Sequence, residues 1–449
     1  MATMYRLCPL RAFWYLYNDT KTMSAETSHD HVIGFVDHFF RHETGKLIAV
    51  LTRIFGPHNL ELAEDVVQDS LLEAIRVWNF KGIPEQPVPW LYRVAKNKAL
   101  NVVNREKYKR KYATEAAHFL ESEWTADAAL ENLFSESEIR DDQLRMMFTC
   151  CHPSVSEDSQ IALTLKTLCG FSLSEIAKAF LTNEENINKR LVRARQKIRD
   201  GDIPFEVPST EYLEERLDAV LQTIYLLFNE GYKASAGPGL IRYELCAEAI
   251  RLAEIITDSQ TIRDKSKVFA CLALMYLNAS RFEARQNESG EILTMAEQDR
   301  SLWDKTLMQK GFAFLDLAAS DKKISVYHVL ASVSACHCLA ADFASTDWHT
   351  ILFLYDILTE IDPSPIVTLN RAVALSKVKG VDSAIEALEA LKDAPPIKGY
   401  HLFYSTLGEF YISAGRYNEA KKALETAISL SDLPAEQTLL RKRLETFST

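Results

Sequence analysis

The sequence predicts an all-α protein: two small helical modules with basic faces, followed by a long solenoid of helix pairs. Three observations carry this reading. Apolar residues recur at three- and four-residue spacing almost throughout the 449 residues, which gathers them on one face of an α-helix. β-branched runs of period two joined by Asn-Gly or Asp-Gly turns, the signature of hairpins, are missing. From Glu211 onward, Gly, Pro, Asp and Ser separate successive amphipathic stretches to the end of the chain.

In chain order, residues 1–29 share neither pattern with the rest of the chain, and Met4 and Met23 both offer start codons, so this extension is expected to be poorly ordered. The first module spans 30–112. An acidic stretch, 113–143, reads as a linker, and a second module spans 144–204, closed by the breaker Gly201-Asp202-Ile203-Pro204. The helical extension occupies 205–449. Near its end Leu407, Gly408, Tyr411, Gly415, Ala420 and Ala427 fall at the large and small packing positions of a tetratricopeptide repeat, and Ala384 precedes Ala420 by one repeat. Pro363, Pro396 and Pro434 punctuate successive pairs.

The composition, 47% hydrophobic and 25% charged, is that of globular material sufficient for two to four domains. No apolar run reaches the 18 to 20 residues or so of a membrane span. The stretch through Tyr17 carries Arg6, Pro9 and Arg11 in place of a signal-peptide core, so the chain is expected to stay in the cytoplasm, without membrane contact. Cys150, Cys151, Cys169, Cys246, Cys271, Cys336 and Cys338 lie in apolar helical patterns and read as reduced, buried thiols. The net charge of -11 is unevenly spread: through Pro204 there are 26 basic and 28 acidic residues, so the acidic excess belongs to the extension. Nucleic-acid affinity follows local phosphate neutralisation, and the first part holds two basic clusters.

The sharpest motif runs from Gly170 to Ile198. Ser172 with Glu175, and Thr182 with Glu185, are spaced as capping boxes starting two successive helices. In the second, Ile187, Leu191, Ala194 and Ile198 form a buried stripe, leaving Asn186, Asn188, Lys189, Arg190 and Arg193 on or beside the open face. This is helix-turn-helix patterning, in which Arg and Lys read guanine or grip phosphate and Asn reads adenine; a solvated helix in a bundle would share its polarity. A second cluster, Trp90 to Lys111, has eight basic residues against Glu106 alone. Leu91, Val94 or Ala95, and Val102 supply its stripe, while Arg93, Lys96, Asn97 and Arg105, headed by Trp90 and Tyr92, suit a gripped duplex and an unstacked base. Before it, Leu62 to Trp78 is a helix with Val67, Leu71, Ala74 and Trp78 inward and Glu64, Asp65 and Asp69 on an acidic side, which on a DNA-binding module suggests a basic protein partner.

Together the acidic AEDVVQD helix, the WLYRVAKNKAL helix, the linker and the helix-turn-helix ending in RLVRARQKI resemble regions two and four of sigma-70 family, extracytoplasmic-function (ECF) sigma factors. Cys150-Cys-His-Pro153, Phe228-Asn-Glu-Gly-Tyr232, Ser280-Arg-Phe-Glu-Ala-Arg285, Gln298-Asp-Arg300 and Leu369-Asn-Arg-Ala-Val373 resemble the subgroup with a C-terminal tetratricopeptide-like (TPR-like) extension. The resemblance implies a bacterial alternative sigma factor that binds core RNA polymerase (β′ and β subunits) and promoter DNA. It assigns Asp65, Gln68 and Asp69 to the clamp-helix coiled coil of β′. Trp90, Tyr92, Arg93, Lys96, Asn97 and Arg105 fall to recognition and melting of the −10 element, and Asn186, Asn188, Lys189, Arg190 and Arg193 to the −35 element. Asn101 departs from the Asp often found there and is left out.

No HExxH, phosphate-cradling glycine loop or GxSxG elbow occurs, and Cys150-Cys151-His152 lacks metal-ligand spacing, so no catalytic residue, metal or cofactor is expected. The extension is expected to modulate activity through an intramolecular or protein partner. Arg281, Arg285 and Arg300 sit in its most polar stretch, either as a sensing contact or as ion pairs with Glu283, Glu288 or Asp299. A helix-turn-helix activator with a TPR-like protein-binding domain, and a helical-repeat adaptor, are the rival readings; neither uses all three segments.

Overall fold

The computed structural model describes residues 29–109, 135–180, 182–232, 241–287, 292–320, 323–431 and 434–448. The N-terminal extension, all but its last residue, and most of the acidic stretch lie outside them, as does the side chain of Arg105. The described residues are helical, with no β-strand among them beyond one isolated bridge, Gln286 to Ile292. None of their helices is long and apolar enough to cross a membrane. The chain divides into two compact units, Met1–Gly231 with Tyr243–Arg263, and Tyr232–Arg242 with Asp264–Thr449.

In the first unit, α1 (His29–Phe55), α2 (Leu60–Lys81) and α3 (Pro87–Lys109) pack on one another. Leu47, Leu51, Val67, Ala74, Leu91 and Ala95 fill their shared interior, each fully or nearly fully buried, and a buried aliphatic side chain of this size stabilises by roughly 1.5–3 kcal/mol. Gly82 ends α2 at φ +78°, a left-handed conformation that costs glycine little. Its N–H closes on the Trp78 carbonyl at 2.9 Å and turns the chain toward α3. The helices α4 (Glu136–Cys150), α5 (Glu157–Thr167), α6 (Leu173–Ala179) and α7 (Glu184–Asp200) form the second module, with Phe148, Met147, Leu163, Phe171 and Ile176 at its centre.

Two expected boundaries move. Residues 136–143, read as the end of a linker because they are acidic, form the start of α4, where Ile139, Asp142 and Gln143 are buried. The chain after Pro204 also continues the first unit, because α8 (Thr210–Tyr232) and α9 (Tyr243–Asp258) complete its core with Leu221, Phe228, Leu245 and Leu252. Arg216 of α8 donates to the Phe148 carbonyl, and Cys151 lies 3.5 Å from the Thr223 hydroxyl. The thiols of Cys150 and Cys151 are fully buried and pushed up by that burial; of the expected buried cysteines, Cys336 is half-buried.

The second unit is a run of helix pairs: α10 (Ser266–Ala279), α11 (Lys305–Ala318), α12 (Val326–Leu339), α13 (Trp348–Ile361), α14 (Pro365–Lys379), α15 (Val381–Glu389), the single turn α16 (Pro395–Lys398), α17 (His401–Ser413), α18 (Tyr417–Leu430) and α19 (Pro434–Ser448). Each long helix packs on its sequence neighbours. The repeat positions behave as their sizes require: Ala384, Ala420 and Ala427 are fully buried, and a Cβ on Gly408 would come within 2.9 Å of Leu424.

Asp142 is the least comfortable acid in the first unit. It lies 3.6 Å from Arg53 and 2.5 Å from Arg145, yet burial outweighs both guanidiniums and pushes its carboxyl up to about 6. A carboxyl raised on folding contributes stability that is complete below its unfolded value and lost as pH rises through about 6. Asp142→Asn, which mimics the protonated acid, should therefore gain in melting temperature over the native chain as pH goes from 4 to 6 and hold that gain above it. A difference independent of pH would remove Asp142 as the titrating group.

Candidate nucleic-acid and polymerase interface

Helix α2 presents Asp65, Gln68 and Asp69 to solvent on one stripe, at the three- and four-residue spacing of a single face. The stripe continues through Leu72 and Ile75, 63% and 42% exposed, and the helix end and following loop add exposed Phe80 and Ile83. An acidic patch continuous with exposed apolar side chains is the composition of a protein-docking face. Sequence reading missed Leu72 and Ile75; their place beside Asp65 and Asp69 at helical spacing was the available signal. Glu64 does not belong to this face. It is buried, because Arg195 of α7 reaches it at 2.6 Å.

On α3, Leu91, Ala95 and Ala99 form the buried stripe, and Val102, expected within it, is half-buried. Arg93 and Asn97 are exposed, and Lys96 is half-buried. Tyr92 donates its hydroxyl to the buried Glu43 carboxylate, so it is a braced aromatic side chain. Trp90 lies tilted against Trp78, ring centres 5.6 Å apart, and Trp78 is itself 5.7 Å from Phe39 and 5.6 Å from Phe40. Trp90 is thus half embedded in an aromatic cluster, with part of its ring open.

Ser172 and Glu175 make the reciprocal capping box before α6: Ser172 N–H donates to Glu175 Oε2 at 2.8 Å and Glu175 N–H to Ser172 Oγ at 3.2 Å. The next cap shifts by one residue. Asn183, with extended backbone, accepts from Asn186 N–H at 2.8 Å and starts α7, while the Thr182 hydroxyl accepts from the Asn186 side-chain amide. Asparagine outcompeted threonine as cap because its carbonyl reaches the same N–H without a β-branch. Ile187, Leu191, Ala194 and Ile198 are buried as the periodicity requires. Asn186, Asn188, Lys189 and Arg193 are exposed, with Lys189 paired to Glu185 at 2.7 Å. Arg190 is drawn off the open face, with its guanidinium 5.4 Å from the Phe180 ring centre and 3.4 Å from Asp158.

The two modules share one compact unit through the packing of α1 on α4 and of α7 on the turn Pro57–Asn59, and ion pairs join the second half of α7 to the start of α2. Arg195 meets Glu64, and Arg199 meets Glu61 at 3.3 Å. A second contact joins α1 to the segment after α5, where Gly45 lies so close that a Cβ there would collide with the Leu168 carbonyl. Burial raises the Glu64 carboxyl more than Arg195 lowers it. A desolvated pair of this kind contributes little net stability, yet losing one partner is costly.

An open cleft of about 600 Å³ borders the exposed part of α3, lined by Tyr92, Arg93 and Lys96 with Arg140 of α4 and Arg251 and Asp258 of α9. Arg140 bonds Asp258 at 3.0 Å, and Arg251 donates to Gln143 at 3.3 Å and to Glu248 at 2.8 Å. The first helices of the extension thus wall one side of the basic helix.

Arg195→Met alone should destabilise the chain by about 3 kcal/mol or more, because it leaves Glu64 buried without a partner. Adding Glu64→Gln should recover most of that loss. Urea denaturation followed by tryptophan fluorescence measures both; losses that simply add would mean the two side chains do not interact.

Known proteins match these same segments. "Sigma-70 region 2" matches residues 39–109, "Sigma-70, region 4" residues 145–198, and a "Family of unknown function (DUF6596)" residues 216–319. A protein of Rhizobium meliloti (strain 1021) described as uncharacterized is 33% identical over 412 residues, 92% of this chain and 96% of that one. The ECF RNA polymerase sigma-E factor of Salmonella typhimurium (strain LT2) is 31% identical over 137 residues, 30% of this chain and 70% of that protein. The RNA polymerase sigma-H factor of Pseudomonas aeruginosa is 29% identical over 158 residues, 34% of this chain and 78% of that protein. No solved structure matches the chain significantly. With both sigma-70 regions in order on the helices just described, the chain belongs to the ECF RNA polymerase sigma factors, the alternative sigma factors of transcription initiation.

Proposed function

We propose that this chain binds core RNA polymerase through Asp65, Gln68 and Asp69, with Leu72 and Ile75 completing the contact on the β′ clamp helices. In this reading α3 acts on the −10 element through Trp90, Tyr92, Arg93, Lys96, Asn97 and Arg105. Helix α7 reads the −35 element through Asn186, Asn188, Lys189 and Arg193, and Arg190 steadies that helix from beside Phe180. The observation that carries the proposal is the exposure of Asp65, Gln68 and Asp69 on α2, of Arg93 and Asn97 on α3, and of Asn186, Asn188, Lys189 and Arg193 on α7, each set opposite its helix's buried stripe. Trp90 and Tyr92 enter as half-packed rings able to receive an unstacked base.

The docking of α7 on α2 supports a further part of the reading. Promoter elements at −10 and −35 are about 25 base pairs apart, roughly 80 Å of duplex. Two modules joined through Arg195–Glu64 and Arg199–Glu61 cannot reach both at once. In this reading the docked form is the unengaged one, and polymerase binding separates the modules, parting α1 from α4 as well as α7 from α2. The TPR-like helix pairs of the extension modulate activity, with α8 and α9 as the part built into the sigma unit. Truncation after Pro204 would strip Phe228 and Leu252 from the core of the first unit, so a cut after Arg263 is the informative one.

The test is transcription from genomic fragments with purified core polymerase. Asp65→Lys with Asp69→Lys should abolish co-purification with core while leaving the melting temperature unchanged. Lys189→Ala should weaken binding of the upstream element by about 1–3 kcal/mol if it holds one base contact. A chain that binds promoter DNA but never core polymerase would instead be an activator.

A further inference from the structure

Two arginines in the second unit stand close together, with no carboxylate in ion-pair contact among the described residues. Arg281 follows α10 and Arg300 lies in the turn before α11; their guanidinium carbons sit 5.2 Å and 4.5 Å from the ring centre of Trp303. Arg281 is held by the Gln298 side-chain carbonyl at 3.3 Å, a neutral acceptor. Arg300 uses Nη1 on the carbonyls of His337 and Ala340. Among the described residues no acid comes within ion-pair distance of either, and the Arg300 guanidinium is lowered by burial and by the charge of Arg281, which outweigh the more distant Asp342 carboxylate. Arg281 and Arg300 do not make the suggested ion pairs with Glu283 or Asp299. Asp299 turns away to accept from Ser301 N–H at 2.8 Å, and Arg285 stacks on Tyr232 at 3.7 Å.

Three polar atoms around this pair have no partner: Arg300 Nη2, Trp303 Nε1 and His337 Nδ1. Trp303 is only 3% exposed, so its indole N–H is removed from bulk solvent. A buried donor left unmade costs about 1–3 kcal/mol, and buried cations are normally paired. The His337 imidazole is held down to about 4 by burial and by Arg281 and Arg300, so it faces the pair as a neutral ring. Beside them opens a cleft of about 420 Å³ lined by Arg300, Trp303 and Lys305 with the apolar Met308, Phe312 and Leu339. Its lining residues carry two cations and no acid.

We propose that this cleft binds a small organic anion, a carboxylate or phosphate group seated on Arg300 and the Trp303 indole N–H, with its apolar body against Met308 and Phe312. The oxyanion supplies what the site lacks: charge for Arg281 and Arg300, and acceptors for the unpartnered donors. The forked guanidinium and fixed indole N–H select an oxygen-rich planar or tetrahedral head group, while the apolar wall selects against bare inorganic ions. The inference concerns binding alone and does not depend on the promoter reading, since neither polymerase nor DNA enters it.

The experiment uses the full chain, isotopically labelled, with the Trp303 indole resonance assigned by its loss in Trp303→Phe. Phenyl phosphate, benzoate, inorganic phosphate and neutral benzyl alcohol are titrated, with affinities measured by calorimetry. Phenyl phosphate or benzoate should move the Trp303 indole saturably, and whichever binds tighter identifies the head group. Inorganic phosphate should bind at least tenfold more weakly, and benzyl alcohol should leave the resonance in place. Arg300→Gln should reduce affinity at least tenfold. Trp303→Phe, which removes the N–H and leaves a smaller ring, should reduce it several-fold. The proposal is overturned if neither aromatic anion binds more tightly than about 1 mM, if benzyl alcohol binds as well as they do, or if Trp303→Phe binds with undiminished affinity.

Discussion

The packing of α1 on α4, with α7 meeting the turn before α2 beside it, is the contact on which the arrangement of the first unit turns. Each helix must bury one apolar stripe, and once α1 to α3 and α5 to α7 have done so, their polar faces remain. The Arg195 guanidinium and the Glu64 carboxylate then remove one another from water in a place where neither could be alone. Gly45 allows this by admitting the Leu168 carbonyl where any side chain would hold the modules apart. The attraction is real but nearly cancelled by desolvation, as the raised Glu64 carboxyl shows.

The same joint sorts the faces of the helices. Glu61 and Glu64 are spent on α7, leaving Asp65, Gln68, Asp69 and Leu72 as the free surface of α2. On α7 the C-terminal arginines are spent on α2, leaving Asn186, Asn188, Lys189 and Arg193 near the helix start. The front of a helix-turn-helix recognition helix is the part that enters a major groove, so the division of labour along α7 is physically consistent. On α3 the extension sets the limit: α9 walls the cleft beside Tyr92, Arg93 and Lys96 through the Arg140–Asp258 and Arg251–Gln143 bonds. The extension therefore contributes its residues through Gly231 and Tyr243–Arg263 to the first unit, and Tyr232–Arg242 with Asp264–Thr449 form the second.

In the second unit the ordinary rule that buried polar groups find partners is kept almost everywhere. Ser266 bonds the Ala318 carbonyl and His328, Tyr411 bonds Glu389, and Asp304 caps α11. Around Arg281, Arg300 and Trp303, Arg300 Nη2, Trp303 Nε1 and His337 Nδ1 lack partners among the described residues, the first two of them donors.

The sequence by itself determined the helices and their buried stripes: Ile187, Leu191, Ala194 and Ile198 on α7, Leu91 and Ala95 on α3, and the small alanines of the extension. Those patterns are local, because an apolar stripe at helical spacing has the same consequence wherever the helix finally lies. The exposed residues of α2, α3 and α7 were legible for the same reason, as the complement of each stripe. Tertiary structure alone decided which polar residues stay free. Glu64 and Arg190 carry the same charge and spacing as their exposed neighbours, and only partners distant in sequence, Arg195 and Asp158, withdraw them. The ends of the elements were likewise not legible: acidic residues 136–143 lie in helix α4, which buries Ile139, Asp142 and Gln143, and α8 and α9 add their apolar faces to the first unit. Pairing across 131 residues is a property of the folded chain, since charge complementarity has no period to read.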